Sequence, residues 1–165
     1  MSGPVLRGER VLLRPLEPGD EPILRAARED PSVADWWGAV EEGFPFTDYP
    51  AATRFAIVVD GEVAGLIQYA EEPDPDSRHA EIDVFLGPGH QGAGHGPDAM
   101  ATLSRHLLED RGLHRLTLSA AVGNDRAIRS YEKLGFRPVG VTHASWRDRH
   151  GTWRDEVLME RVVRP

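Results

Sequence analysis

A glycine-rich segment between a predicted strand and a predicted helix has the clearest chemical potential in the sequence. It reads Gln91-Gly92-Ala93-Gly94-His95-Gly96. Glycine lets the main chain turn its N–H groups toward an anion without a Cβ in the way, and a helix that begins there adds the positive end of its dipole. The segment therefore predicts a loop that holds a phosphate or pyrophosphate group. A plain connection before a helix fits the same pattern and is the alternative.

The spacing of the glycines excludes two common phosphate-binding motifs. A Walker loop ends in Gly-Lys-Ser or Gly-Lys-Thr, whereas this segment continues as Gly96-Pro97-Asp98. A dinucleotide fingerprint has the spacing G-x-G-x-x-G in the first strand–helix unit, whereas the glycines here alternate in the middle of the chain. Neither a Walker-type nor a Rossmann-type site is therefore expected.

The remaining patterns predict one mixed α/β domain over residues 1–165. Asp60-Gly61 between two apolar runs predicts a hairpin, and residues 80–86 alternate as a strand with two distinct faces. One face carries Ile82, Val84 and Leu86, and the other carries Glu81, Asp83 and Phe85. The predicted strands cover residues 10–15, 55–59, 62–69, 80–86, 113–120, 136–143 and 152–162. The predicted helices begin after Asp20 as N-cap, near Val33, after Gly96 and at Asn124, and an irregular loop is expected over residues 38–53.

Two segments resemble motifs of the GNAT superfamily of N-acetyltransferases. The glycine-rich segment is similar to its acyl-CoA motif, Gln/Arg-x-x-Gly-x-Gly/Ala. Residues 124–136 resemble its N-x-x-A-x-x-x-Y-E-K-x-G-F motif, with Asn124 and Tyr131 at the matching positions. The resemblance extends from residue 10 to residue 163. It implies the GNAT fold, an α/β arrangement in which a mixed, mostly antiparallel twisted sheet of about seven strands is flanked by about four helices, with a splayed central strand pair.

The resemblance also implies the reaction, in which acetyl-CoA gives its acetyl group directly to a primary amine in a ternary complex. The pyrophosphate is expected on the N–H groups of residues 92–96. The pantetheine arm is expected on the main chain of Val84, Phe85 and Leu86, where an N–H of Phe85 or Val84 would polarise the thioester carbonyl. No metal and no enzyme nucleophile is needed for such a transfer. A catalytically idle acyl-CoA-binding module is the alternative from another functional class.

Three side chains are expected near the reacting groups. The resemblance implies that Asn124 binds the pantetheine near the sulfur and that Tyr131 gives its proton to the thiolate, with a buried-core role as the alternative for Tyr131. A substrate amine is protonated near pH 7, and an ammonium cannot attack a carbonyl. Asp83 is therefore expected to bind the ammonium and help to remove its proton. It would act either as a base or only as a positioning group, with Glu81 as the second candidate. The alternative for Asp83 is a structural role, in which it caps a turn or pairs with an arginine such as Arg78.

Several short stretches bear on the acceptor. Residues 35–38, 81–86 and 124–131 are similar to the aminoglycoside 6′-N-acetyltransferases, which implies an antibiotic-resistance enzyme, and siderophore lysine acyltransferases share part of this pattern. Residues 118–121 depart from the aminoglycoside enzymes, which often carry an acid there. Residues 13–20 resemble the ribosomal-protein N-terminal acetyltransferases. The acceptor is therefore expected to be a primary amine of a small, cationic, aminoglycoside-like molecule, with a protein N-terminus or a siderophore lysine as alternatives.

Trp36 and Trp37 are candidate substrate-binding residues. Neighbours on a helix point about 100° apart, so adjacent tryptophans cannot both face one core. One is expected to pack and the other to line a pocket, where an aromatic wall suits a sugar ring or a cation.

Composition limits the function classes. The chain has no cysteine, which excludes disulfides and thiolate chemistry, and its net charge of −8 argues against nucleic acid as a partner. No apolar stretch approaches the ~18–20 residues of a membrane span, and the N-terminus does not resemble a secretory signal. The histidines show no metal-ligand spacing. A cytoplasmic monomer or homodimer is therefore expected.

Overall fold

An eight-stranded sheet forms the centre of the computed structural model, which describes residues 3–47 and 51–165. The strands run in the order β1-β2-β3-β4-β5-β6-β8-β7 across the sheet. Their bounds are Leu6–Arg7 (β1), Leu12–Pro15 (β2), Thr53–Val59 (β3), Glu62–Glu72 (β4), His79–Leu86 (β5), Arg115–Ala121 (β6), Arg137–Arg147 (β7) and Trp153–Val162 (β8). The α-helices are Glu21–Glu29 (α1), Pro31–Trp37 (α2), His95–Arg105 (α3) and Asp125–Lys133 (α4). The expected α/β fold is confirmed.

The differences from the predicted elements are small. The eighth strand, β1, has only two residues and pairs with β2, and a strand this short has no periodicity to detect. Asp20 precedes α1 as predicted but does not cap it. Its carboxylate instead accepts two hydrogen bonds from the Arg14 guanidinium, at 2.8 and 2.9 Å, and one from the Glu17 N–H. The irregular loop is present over residues 38–47 and 51–52, whereas residues 48–50 lie outside the described residues.

Local sequence explains several of the turns. Asp60 and Gly61 have φ angles of 50° and 79°, which is the turn geometry that favours Asp-Gly between paired strands. Gly135 follows α4 with a φ angle of 94°, as a helix C-terminus in the left-handed region requires. In the described part of the chain, no helix is long and apolar enough to cross a membrane.

The strands β5 and β6 form the only parallel pair in the described sheet. They lie near its centre and are paired at only two positions. The two strands pair at Ala80 with Leu116 and at Glu81 with Thr117, and nowhere beyond. All other neighbouring strands are antiparallel. Because pairing stops at Glu81, the second half of β5 leaves β6, and a gap opens between them. This is the splayed strand pair that the resemblance implied.

Two apolar clusters cover the two faces of the sheet and fix the orientation of β5. One cluster contains Ile82 together with residues of α3 and packs against Tyr131 of α4. The other contains Phe85 and Leu24 of α1. The predicted alternation of β5 is therefore confirmed, and Asp83 lies on the strand face that it shares with Phe85.

A carboxylate of α3 binds the main chain between β1 and β2, next to the glycine-rich segment. Asp98 accepts hydrogen bonds from the main-chain N–H groups of Glu9, Arg10 and Val11, at 3.0, 2.8 and 3.0 Å. The Arg10 guanidinium in turn donates to the carbonyl of Ala93. Burial raises the pKa of Asp98, but these hydrogen bonds outweigh it and the pKa is lowered overall. The turn between β1 and β2 thus supports the start of α3.

Asp98→Asn should lower the free energy of unfolding by about 1–3 kcal/mol at pH 7, because an amide leaves some of the three main-chain donors unpaired. Urea unfolding measures this value, and Asp76→Asn in an exposed loop is the matched control, with a change below about 0.5 kcal/mol. The Asp98 pKa is lowered by folding, so its contribution is present above the pKa of the unfolded chain and is lost as the pH falls. Equal stability of the two variants at pH 7 would contradict this role.

Candidate active site

A cleft of about 720 Å³ occupies the gap between β5 and β6. Its walls come from the second half of β5, the glycine-rich segment, α2, α4 and β8. Eight of the ten predicted cofactor-binding residues line it. They are Val84, Phe85, Leu86, Gln91, Gly92, Gly94, Gly96 and Asn124. The predicted catalytic pair, Asp83 and Tyr131, lines the same cleft.

The glycine-rich segment uses left-handed backbone at two of its glycines. Gly92 and Gly94 have φ angles of 78° and 85°, which residues with a Cβ rarely adopt. A Cβ on Gly92 would lie 3.1 Å from a guanidinium nitrogen of Arg126, and one on Gly94 would lie 2.8 Å from a guanidinium nitrogen of Arg10. Two cations therefore flank a loop with turned main-chain N–H groups. This arrangement fits a pyrophosphate.

The other members of the segment have supporting positions. The Gln91 side-chain amide donates to the Leu86 carbonyl at 2.8 Å and to the Ser32 hydroxyl at 3.0 Å, so it ties the segment to the end of β5 and the start of α2. Ala93 and His95 do not line the cleft. The carbonyl of Ala93 accepts the bond from Arg10, and His95 begins α3 partly buried.

Asn124 directly precedes α4, but its side chain does not bind the helix. Its main-chain N–H donates to Ala121 at 3.0 Å, and its carbonyl accepts from Ile128 at 3.1 Å. The fully described helix α4 receives no capping hydrogen bond from the Asn124 side chain, although asparagine is a good cap. The carboxamide is therefore free to bind a ligand in the cleft that it lines.

Asp83 is a carboxyl group whose ionisation the fold makes costly. The pKa of Asp83 is raised to about 6, mainly by burial and also by the charges of Glu81 and Glu156, while a hydrogen bond with Gln68 acts in the opposite direction. Gln68 lies directly across from Asp83 on β4, and its side-chain oxygen accepts from Arg54 at 3.0 Å. A carboxylate with this pKa is ionised at neutral pH and is still basic enough to take a proton.

Tyr131, unlike Asp83, keeps its proton at neutral pH. Burial raises the pKa of its hydroxyl to about 12, and the nearby charge of Asp83 contributes. The side chain comes from the last part of α4 and packs partly against the main core. The cleft therefore brings together a potential base and a potential acid whose pKa values lie far apart, which is the arrangement of an acid–base pair.

A third carboxylate enters the cleft from the opposite wall. Glu156 belongs to β8, and burial raises its pKa, with Ser145 opposing and Glu81 contributing. The Ser145 hydroxyl lies 2.9 Å from a carboxylate oxygen of Glu156. Nothing in the sequence of β8 resembles a motif, so this residue was not among the predicted site residues.

These carboxylates are not neutralised by nearby cations. Within residues 3–47 and 51–165, no ion pair includes Glu81, Asp83 or Glu156. Arg78 pairs with Glu71 at 3.0 Å, so the alternative in which Arg78 pairs with Asp83 is wrong. Glu81 is exposed and does not line the cleft, although its charge acts on Asp83.

The two tryptophans of α2 have different surroundings. Trp37 packs edge-on against Phe85 at 5.0 Å between ring centres, and its indole N–H donates to the Val84 carbonyl at 3.3 Å. Trp36 is 43% exposed at the rim of the same cleft. The Arg28 guanidinium lies 5.2 Å from the Trp37 ring and donates to the carbonyl of Gly38 at 3.2 Å. Trp37 thus occupies one main-chain acceptor of the stretch predicted to hold the pantetheine.

An ion pair joins α2 to the turn between β7 and β8, although neither of its residues lines the cleft. Asp35 of α2 lies 2.7 Å from Arg149, which belongs to the turn between β7 and β8. Trp146, at the end of β7, lines the cleft beside Glu156. The acceptor end is therefore bounded by α2 on one side and by the β7–β8 hairpin on the other.

Comparisons with known proteins agree with this geometry. A spermidine N(1)-acetyltransferase of Escherichia coli K12 is 32% identical over 79% of this chain and 74% of its own length. A Vibrio cholerae spermidine N-acetyltransferase, solved with CoA and spermine, superposes with a TM-score of 0.79 at 24% identity, covering 93% of this chain and 95% of that one. A ribosomal-protein-S5-alanine acetyltransferase of Vibrio fischeri has a TM-score of 0.80 at 17% identity and covers 97% of both chains.

The family assignment follows from the site and the sequence together. The comparisons support the superfamily that the motifs implied, and the curated relatives they find are spermidine acetyltransferases rather than aminoglycoside enzymes specifically. The sequence model of the acetyltransferase (GNAT) family matches residues 20–136, which hold both motifs, Asp83 and Tyr131. The chain therefore belongs to the acetyltransferase (GNAT) family and is an acetyl-CoA-dependent N-acetyltransferase.

Proposed function

We propose that this protein transfers the acetyl group of acetyl-CoA to a primary amine of a linear polyamine such as spermidine. The observation that carries the proposal is the cleft itself, where a base and an acid with separated pKa values lie beside carboxylates that have no cationic partner in the described chain. A ligand with several ammonium groups would neutralise these carboxylates. The relatives named for spermidine support the same acceptor.

The residues of the cleft fit acetyl-CoA. The main-chain N–H groups of residues 92–96 and the Arg126 guanidinium would hold the pyrophosphate, and the free carboxamide of Asn124 would bind the pantetheine arm. The main chain of β5 beyond Glu81, which has no partner on β6, would hold the rest of that arm and polarise the carbonyl. Acetyl-CoA, when bound, supplies an acetyl thioester.

Asp83 and Tyr131 divide the proton chemistry. The Asp83 carboxylate takes a proton from the ammonium, which leaves a lone pair on the nitrogen that forms the new C–N bond. The Tyr131 hydroxyl keeps its proton at every working pH and gives it to the sulfur as the C–S bond breaks. Solvent then returns a proton to Tyr131 and takes the one held by Asp83.

The acceptor end suits a narrow, positively charged chain. Asp83 and Glu156 approach from opposite walls, and Glu81 adds a charge outside. In the described residues no three acidic or histidine side chains are close enough to share one metal ion. The net charge of −8 would also speed the approach of a cation. The proposal includes the cytoplasm as the location, where polyamine and acetyl-CoA would meet.

The acceptor is tested by steady-state assays with spermidine, spermine, aminoglycosides and a short peptide that begins with alanine. The polyamines should have the highest kcat/KM, because a narrow chain with several ammonium groups can reach both Asp83 and Glu156 in the cleft. Glu156→Gln should raise the KM of spermidine about tenfold or more but leave that of a simple monoamine nearly unchanged. Glu160→Gln on the same strand, outside the cleft, is the matched control. Preference for an aminoglycoside or the peptide would replace the polyamine as acceptor.

Asp83→Asn should lower kcat/KM by roughly 10²-fold and remove the rise in rate that the wild type shows as the pH increases through about 6. The sign follows from the raised pKa, since only the ionised carboxylate accepts a proton. Glu81→Gln should instead move that rise to lower pH, because it removes a charge that raises the pKa of Asp83. A change confined to the amine KM would mean that Asp83 only positions the amine.

The Asp83→Asn variant also has an expected effect on the free energy of unfolding. The pKa of Asp83 is raised on folding, so its ionisation destabilises the native state as the pH rises toward 6 and above. Asp83→Asn should therefore increase the free energy of unfolding by about 2 kcal/mol at pH 8, and the gain should shrink as the pH falls from 6 to 4. A less stable variant at pH 8 would show that Asp83 is held by favourable contacts rather than by strain.

Tyr131→Phe should lower kcat by about 10²–10⁴-fold and leave the Kd of acetyl-CoA within about twofold, because the hydroxyl acts only as the sulfur leaves. Calorimetry gives the Kd, and Tyr69→Phe, a buried tyrosine stacked on Phe55, is the matched control with nearly normal kcat. Turnover of Tyr131→Phe within about twofold of the wild type would remove it as the acid.

A further inference from the structure

A second, smaller cavity lies beside the active-site cleft and has a basic wall. It has a volume of about 290 Å³ and lies between the start of α3 and the exposed side of α4. Its lining residues are Pro97, Arg126, Arg129, Ser130, Lys133 and Leu134. Lys133 occupies the lysine position of the second motif, whereas Arg126 and Arg129 stand at its variable positions, and the resemblance implied no role for any of the three cations.

The three cations share one side of α4 and have no acidic partner. Arg126, Arg129 and Lys133 are spaced by three and four residues, which places them in a row along the helix. Among the ion pairs of the described residues, none includes any of the three. Asp125 and Glu132 lie on the same helix but do not line the cavity. Three unpaired cations in a chain with a net charge of −8 point to an anionic ligand.

Helix stability does not account for the row. Lys133 lies in the last turn of α4, where a cation interacts favourably with the helix dipole. Arg126 is the second residue of the helix, where the same dipole disfavours a positive charge. Its guanidinium extends instead to the glycine-rich segment, within 3.1 Å of where a Cβ of Gly92 would lie.

The basic cavity continues from the pyrophosphate end of the cleft. Pro97, Arg126 and Ser130 line both cavities, so a ligand whose pyrophosphate lies on residues 92–96 reaches the basic wall with its next group. In acetyl-CoA that group is an adenosine with a 3′-phosphate, a phosphomonoester that carries up to two negative charges at neutral pH. A guanidinium and an ammonium group are suitable donors for such a group.

We propose that Arg129 and Lys133 bind the 3′-phosphate of acetyl-CoA, with Arg126 between this group and the pyrophosphate. The protein then selects its acyl donor at the nucleotide end, and it discriminates against acyl thioesters that have the same pantetheine arm but lack the 3′-phosphate. This selection rests on the use of acetyl-CoA within the proposed function, and it is independent of which amine is the acceptor.

Calorimetry with CoA and 3′-dephospho-CoA, in the absence of any amine, tests the site. The wild type should bind CoA about tenfold more tightly, and the preference should decrease as salt is raised. The double variant Arg129→Gln/Lys133→Gln should bind CoA about tenfold more weakly and bind 3′-dephospho-CoA as the wild type does. Arg137→Gln/Arg164→Gln removes two exposed cations elsewhere and should keep the full preference.

Two results would overturn the proposal. One is equal affinity of the wild type for the two ligands, which would mean that no 3′-phosphate site exists. The other is a full preference for CoA in the double variant, which would mean that other residues bind the 3′-phosphate. Because the measurement needs no acceptor, a failure of the polyamine assignment leaves it unaffected. Steady-state assays with acetyl-CoA and its 3′-dephospho form should show the same ratio in the donor KM with little change in kcat.

Discussion

The short ladder between β5 and β6 is the constraint on which the site depends. After Glu81 the two strands no longer pair, so the main-chain groups of the second half of β5 have no partner on β6. Buried main-chain N–H and C=O groups need partners, and here side chains supply two of them, Trp37 at the Val84 carbonyl and Gln91 at the Leu86 carbonyl, beside an open cleft. Each diverging strand leads directly into a binding element. β5 continues into the glycine-rich segment, and β6 continues into Asn124 and α4.

The separation of β5 and β6 also creates a cleft with cations near one end and carboxylates near the other. Arg10 and Arg126 flank the glycine-rich segment, whereas Asp83 and Glu156 lie toward the acceptor end. A ligand pair that is anionic at one end and cationic at the other matches this polarity. The arrangement has an energetic consequence, because an unpaired carboxylate with a raised pKa destabilises the native state when it ionises. The fold retains Asp83 in that environment, which is typical of a residue kept for chemistry rather than for stability.

Elements with a local signal could be predicted from the sequence, whereas contacts between distant residues could not. The Asp60-Gly61 turn, the two faces of β5 and the boundaries of α4 each depend on a few neighbouring residues, and the structure confirms them. Arg10 acts on Ala93, 83 residues away, and Asp98 binds the main chain of Glu9, 89 residues away. No spacing rule connects such pairs. Asp20 shows the intermediate case, since its position before α1 was predicted correctly but its partner is a guanidinium from β2.

The difference between the motif-based acceptor and the proposed one has a structural cause. The residues that resemble aminoglycoside enzymes lie on α2, β5 and α4, and the parts of β5 and α4 concerned would hold acetyl-CoA and carry Asp83 and Tyr131. Any member of the superfamily needs those functions, so these residues carry little information about the amine. Glu156 of β8 and Trp146 of β7, which also line the acceptor end, lie outside those segments. Because these two residues belong to no shared motif and join the cleft only in the folded chain, the motifs identify the acetyl transfer, and the charges of the cleft are needed to infer the acceptor.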